Sequence, residues 1–147
     1  MDMEAFLKKA DTLQQKSCWV FDTMPVRVPP HRGEAYFLFE RQLCPGPAIL
    51  ADRTARIAVK LVCYYDFLAA AETLDGWQEI PSENLYAAVY GAYLGSTGWV
   101  NLLLAAENAL LTVGEGVLAL YNPGRHLREL SEQLALSEGL FFRWGMQ

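Results

Sequence analysis

Between residues 96 and 113 the chain reads STGWVNLLLAAENALLTV, a polar pair followed by a long run whose only charge is Glu107. Ser96 or Thr97 is placed to accept a hydrogen bond from a first-turn N–H, and the Leu/Ala run beyond Gly98 has high helix propensity. At 3.6 residues per turn, Thr97, Asn101, Ala105, Asn108 and Thr112 fall on one narrow strip. Trp99, Val100, Leu102, Leu103, Leu104, Leu110, Leu111 and Val113 cover the rest. The pattern predicts a central helix, 97–113, buried on most sides by other elements. It is too short and too mixed to cross a membrane, which takes about 20 predominantly apolar residues.

Four further helices are expected to wrap it. Residues 3–16 place Ala5, Phe6, Leu7, Ala10 and Leu13 on one face and Lys8, Lys9, Asp11 and Gln15 on the other. Residues 48–74 show helical spacing at Ile57, Leu61, Tyr64, Tyr65 and Leu68, and end at Asp75-Gly76. The same stretch also alternates as a strand would, and the alanines at 69–71 decide for helix. Ser82 caps a helix over 83–94 that stops at Gly95, and Asn122-Pro123 opens a last one, 123–137. Prolines 25, 29 and 30 rule out regular helix between the first two. A small β element has three candidate strands, 18–21, 36–41 and 140–144, but for 35–43 helix is preferred over strand, because Gly33-Glu34 offers a start and Cys44-Pro45-Gly46-Pro47 a sharp stop. Val117 to Tyr121 is one buried turn or a strand. The expected fold is therefore mainly α, a single domain over 1–147, with α+β as the alternative.

Composition points the same way, because 22 Leu and 18 Ala outweigh 9 Val and 3 Ile, the residues that favour strands. The net charge of −5 is unevenly spread. Residues 17–60 carry six basic and four acidic side chains, while 61–124 carry seven acidic ones and neither Lys nor Arg. Such a surface repels phosphates, so nucleic acid is not an expected partner. Neither a membrane nor a secretory leader is expected. Cys18, Cys44 and Cys63 are odd in number and lack CxxC spacing, which suits reduced thiols in the cytoplasm.

Candidate chemistry is sparse. His31 and His126 fall in no pattern that gathers ligands on a metal, the GEG at 114–116 lacks the context of a dinucleotide loop, and neither a GKS/GKT nor a GxSxG sequence occurs. No catalytic residue, metal or cofactor is expected. Tyr86, Tyr90 and Tyr93 align at i, i+4 and i+7 as an interface or ligand-binding stripe. Asp66, within VCYYDFLAAA, and Asn101, on the central helix, are candidate polar anchors beside it. Arg53, Arg56 and Lys60 share a helix face that suits an anion or acidic partner. Together these features favour an acidic, cytoplasmic, non-enzymatic interaction or accessory protein, acting by self-association or on a protein partner. The alternative is a small-molecule-binding protein or minor enzyme with a pocket beside the central helix.

Overall fold

Residues 97–113 form the central hairpin of an antiparallel sheet rather than a helix. The computed structural model describes residues 1–145. In chain order it contains α1 (Met3–Leu13), β1 (Cys18–Asp22), α2 (Gly33–Gln42), α3 (Pro47–Val62), β2 (Leu68–Thr73) and β3 (Gly76–Glu79). There follow α4 (Leu85–Leu94), β4 (Val100–Leu104), β5 (Ala109–Gly114), β6 (Val117–Tyr121), α5 (Arg125–Ser137) and β7 (Phe141–Trp144). The seven strands are ordered β3-β2-β4-β5-β6-β1-β7, each antiparallel to its neighbours. The architecture is α+β, which corrects the mainly α, helical expectation.

The correction has a physical cause. Helices cover both faces of the central strands, so β4 and β5 are buried at every position. A strand covered on both faces loses the alternation that would identify it and reads as a continuous apolar run, as a buried helix does. Val100, Leu102, Leu104, Leu111 and Val113 enter the larger core, with Ile57, Leu61, Val89 and Leu127 from α3, α4 and α5. Leu103 and Leu110 point to the other face, where Phe6, Ala10 and Leu13 of α1 cover them. Between the strands Asn108 takes a left-handed φ of 52°, which no helix accommodates and which asparagine tolerates better than most residues. Its carbonyl accepts a hydrogen bond from Asn122 Nδ2 at 2.8 Å.

The long helix over 48–74 ends at Val62, and its alanines form β2 instead. Ala69 packs into the three-helix core and Ala70 under α1. Small side chains there admit helices on both faces, so packing overrides helix propensity. Of the candidate strands, 18–21 lies in β1 and 140–144 overlaps β7, while 36–41 is helical and belongs to α2. The helices over 3–16, 83–94 and 123–137 appear as α1, α4 and α5 with shifted ends, and residues 117–121 are β6.

One turn ties the layers together. Glu115 and Gly116, both at positive φ, join β5 to β6 in the conformation favoured for two-residue hairpins. Their N–H groups donate to Ala92 O at 2.9 Å, which also accepts from the Gly95 N–H at 3.0 Å, and to Tyr93 O at 2.7 Å, so the last carbonyls of α4 are held by the turn. On the α1 side the Trp99 indole lies flat against Gly114, where a Cβ would stand 2.2 Å from the ring. Gly114→Ala should therefore cost about 1–3 kcal/mol, because the indole or the strand must shift to admit the methyl group. Urea denaturation checks this, and a loss below a few tenths would show that Trp99 moves freely.

Candidate functional site

α2 departs from the pattern of every other helix. Its sequence GEAYFLFERQ is rich in aromatic and aliphatic residues, yet none of its ten residues is buried. Phe37 is 69% exposed, Leu38 52% and Leu43, just beyond its end, 75%. Val26 before it and Ile49 after it are exposed as well. The helix follows a proline-rich segment, with a single turn at Pro30–Arg32, and is ended before Pro45-Gly46-Pro47 starts α3. Proline at the first position of α3 suits a helix start, because the N–H it lacks has no intrahelical acceptor there.

Between α2 and the body lies a cleft of about 890 Å³. It is walled by the end of β1, the start of α3, the end of α4 and the 115–116 turn. Its polar lining side chains include Asp22, Thr23, Tyr36, Glu40, Arg41, Cys44, Thr54, Tyr93 and Glu115. Asp22 is held rigidly: Oδ2 accepts from Arg143 Nη2 at 2.7 Å and Nε at 3.1 Å, and Oδ1 accepts from the Thr23 N–H at 2.7 Å. Glu40 and Glu115 make no ion pair among the described residues. Burial pushes the Tyr93 phenol up, and neighbouring Cys44, Asp22 and Tyr36 act in the same direction. Burial also raises Tyr36, against a hydrogen bond from Thr23 that lowers it, and the Glu40 charge adds to the rise. Cys44 is raised by burial and then by Glu40. At neutral pH the cleft therefore presents uncharged phenols and a thiol beside carboxylates and the Arg41 guanidinium, an arrangement of hydrogen-bond donors and acceptors without an activated nucleophile.

The tyrosine stripe divides. Tyr86 stacks on Tyr90 at 6.1 Å, and its hydroxyl donates to the Asp52 carboxylate on α3. Tyr93 turns to the cleft instead. Asn101 is buried on the α1 side of the sheet, at a small groove of about 210 Å³ with Trp77 and Trp99, so the sheet separates it from α4. Asp66 is exposed in the turn between α3 and β2. These residues do not converge on one pocket. Arg56 pairs with Asp52 at 2.9 Å and Glu138 at 3.3 Å, and Lys60 with Glu138 at 2.8 Å, while Arg53 lies beside Gly139. Two of these three cations are thus engaged in joining α3 to the end of α5.

The sequence reading missed Asp22, Thr23, Tyr36, Glu40 and the exposed face of α2. One usable signal was the aromatic helix isolated between two proline-rich breaks, an element with little chain on either side to fold over it. Among the described residues no cluster of three or more His, Cys, Asp or Glu is placed to hold a metal, and no helix is long and apolar enough to cross a membrane. No family model, curated protein or solved structure matches the chain.

The raised groups set a pH dependence. An unfolded thiol ionises near about 8.5 and an unfolded phenol near about 10. The folded groups hold their protons to higher pH, so the unfolded state loses protons first and stability falls as pH rises beyond these values. Melting temperature should decline from about pH 9 upward. Cys44→Ser should flatten the earlier part of that decline and Tyr93→Phe the later. Parallel curves for native and variant proteins between about pH 8 and 11 would contradict burial as the cause.

Proposed function

We propose that this is a non-enzymatic interaction or accessory protein that docks onto a protein through the outer face of α2. The observation that carries the reading is a helix with no buried residue and two adjacent, largely exposed apolar side chains, Phe37 and Leu38, in a chain whose other helices all bury an apolar stripe. Exposed apolar surface of this kind is disfavoured in water, and contiguous patches mark interaction sites. Nucleic acid fits poorly as the partner, because the 61–124 segment contributes seven carboxylates and no cation. Three cysteines with no disulfide suit a reducing cytoplasm.

A photo-reactive cross-linking side chain at position 37 or 38 tests the reading in the native cells. Covalent protein adducts are expected at these positions and not at Leu136, an exposed leucine on α5 used as control. Equal yields at all three, or none, would count against it. Phe37→Glu with Leu38→Glu should abolish the adducts formed from a reactive group at Val26, with melting shifted by no more than a few degrees, as surface changes usually do.

The cleft favours a second reading, a binding site for a small organic molecule, since its volume lies within the range of ligand pockets. The two lining carboxylates outside any ion pair among the described residues, Glu40 and Glu115, outnumber the one lining cation, Arg41, and with the aromatic walls suit a compact amine. A panel of small amines should then raise the melting temperature of the native protein and have less effect on Glu40→Gln, with Glu115→Gln as a second variant. No shift with any member of the panel would remove this reading.

A further inference from the structure

We propose that the partner docked at α2 is a second copy of this chain, which inserts the tip of its β2–β3 hairpin into the apolar groove beside α2. This inference rests on the docking reading above and places a second copy in the groove that adjoins that face through Arg32 and Ala35.

The groove, about 280 Å³, lies between the proline segment and α2, walled by Met24, Val26, Val28 and Phe39. Arg27 and Arg32 are its only charged lining residues, and neither belongs to an ion pair among the described residues. Its chemistry asks for one aliphatic side chain flanked by carboxylates.

The β2–β3 hairpin has that form. Leu74 at its tip is fully exposed, with a relative accessibility of 105%. Glu72 and Asp75 flank it in the chain, both exposed and both without an ion-pair partner among the described residues. The tip is also held in shape. The Thr73 hydroxyl donates to Gly76 O at 2.7 Å and accepts from the Asp75 N–H at 3.3 Å, so Leu74 is presented outward by a fixed turn. A rigid leucine loses less conformational freedom on insertion than one on a mobile loop.

The topology lets two copies exchange these contacts. β1 ends at Asp22, alongside the β5–β6 turn, while Val113 pairs with Val100 and Val100 with Ala71. The α2 groove and the hairpin tip therefore lie at the same end of the sheet. The strands that lead to them, β1 and β2, are separated by β6, β5 and β4, or roughly 19 Å at the usual spacing. Within one molecule the two features are apart, whereas a two-fold axis through that end would place each hairpin at the partner's groove. Such an interface closes after two copies.

The test is solution mass by light scattering, across protein concentrations, for the native chain and two charge-reversal variants. One is Arg27→Glu/Arg32→Glu and the other Glu72→Arg/Asp75→Arg. The native protein should form dimers that weaken at about 0.5 M salt, since exposed charge pairs are screened there. Each variant alone should be monomeric, because its groove and hairpin then carry like charge. Mixed in equal amounts they should dimerise, since both contacts again join opposite charges. Leu74→Asp, a change at a fully exposed site that leaves the core untouched, should weaken dimerisation about tenfold to a hundredfold.

A native monomer at every concentration would overturn the second copy as occupant. The docking reading would stand or fall separately, on the cross-links at position 37. Dimers that survive both variants would show that copies meet elsewhere. Variants that stay monomeric when mixed, while melting like the native protein, would equally overturn the pairing.

Discussion

The β4–β5 hairpin sets the terms for the rest of the molecule, because it carries leucines on both faces and each face must be covered. Fully burying one such leucine contributes about 1.5–3 kcal/mol, and Leu102, Leu103, Leu104, Leu110 and Leu111 are all nearly inaccessible. One layer of helices would leave Leu103 and Leu110 in water. α1 therefore closes the second face while α3, α4 and α5 close the first. The alanines of β2 and the absence of a side chain at Gly114 follow from the same demand, since cover must approach closely. The 115–116 turn then fixes α4 to the sheet through two backbone hydrogen bonds, and with it the position of Tyr93.

Against that thorough burial, α2 stands out. Its insertion between β1 and α3 adds apolar residues that the core does not use, and it does so where the basic charges are concentrated, with Arg27, Arg32 and Arg41 on or beside it. The β2–β3 hairpin shows the converse, an exposed leucine within a stretch that has no cation. Neither feature stabilises the isolated chain. Each leaves apolar surface in water, and a contact that buried both would relieve the two costs together.

How much of this was legible in the sequence depended on how each segment is covered. α1 and α5 lie on the outside, keep a polar face and show the 3.6-residue period plainly. The central strands lack a polar face, so their period vanished and leucine content alone spoke for helix. Asn108 was legible only as a polar residue on a helical strip, since the left-handed turn it makes is a property of the backbone. The alanines at 69–71 misled for a related reason: their helix propensity is intrinsic, whereas their place in β2 comes from helices packed on both sides. Tyr93 lines the cleft as the tyrosine spacing allowed. Asn101 was assigned to the same pocket as α4 only because a helix would have turned it there. The exposed face of α2 ran against the assumption that aromatic residues mark core, and Asp22, Tyr36, Cys44 and Tyr93 are too far apart in the chain for spacing to join them.

The cleft and the proposed docking face share one helix, and this links their energetics. Tyr36 and Glu40 line the cleft, while Phe37 and Leu38, on the same turns, face outward. With no buried residue in α2, few apolar contacts oppose its local opening, and a helix of that kind has more ordering entropy left to lose on binding than a buried one. A partner that ordered the outer face would bear that entropy cost once, and a molecule entering the cleft afterwards would meet a helix already in place. The coupling is reciprocal, so a cleft ligand would tighten docking by the same factor. A protein that buried α2 in its own core would be more stable alone and would have neither surface. The apolar residues of α2 thus stay outside the core, positioned by a sheet that does not need them, as the proposed interface requires.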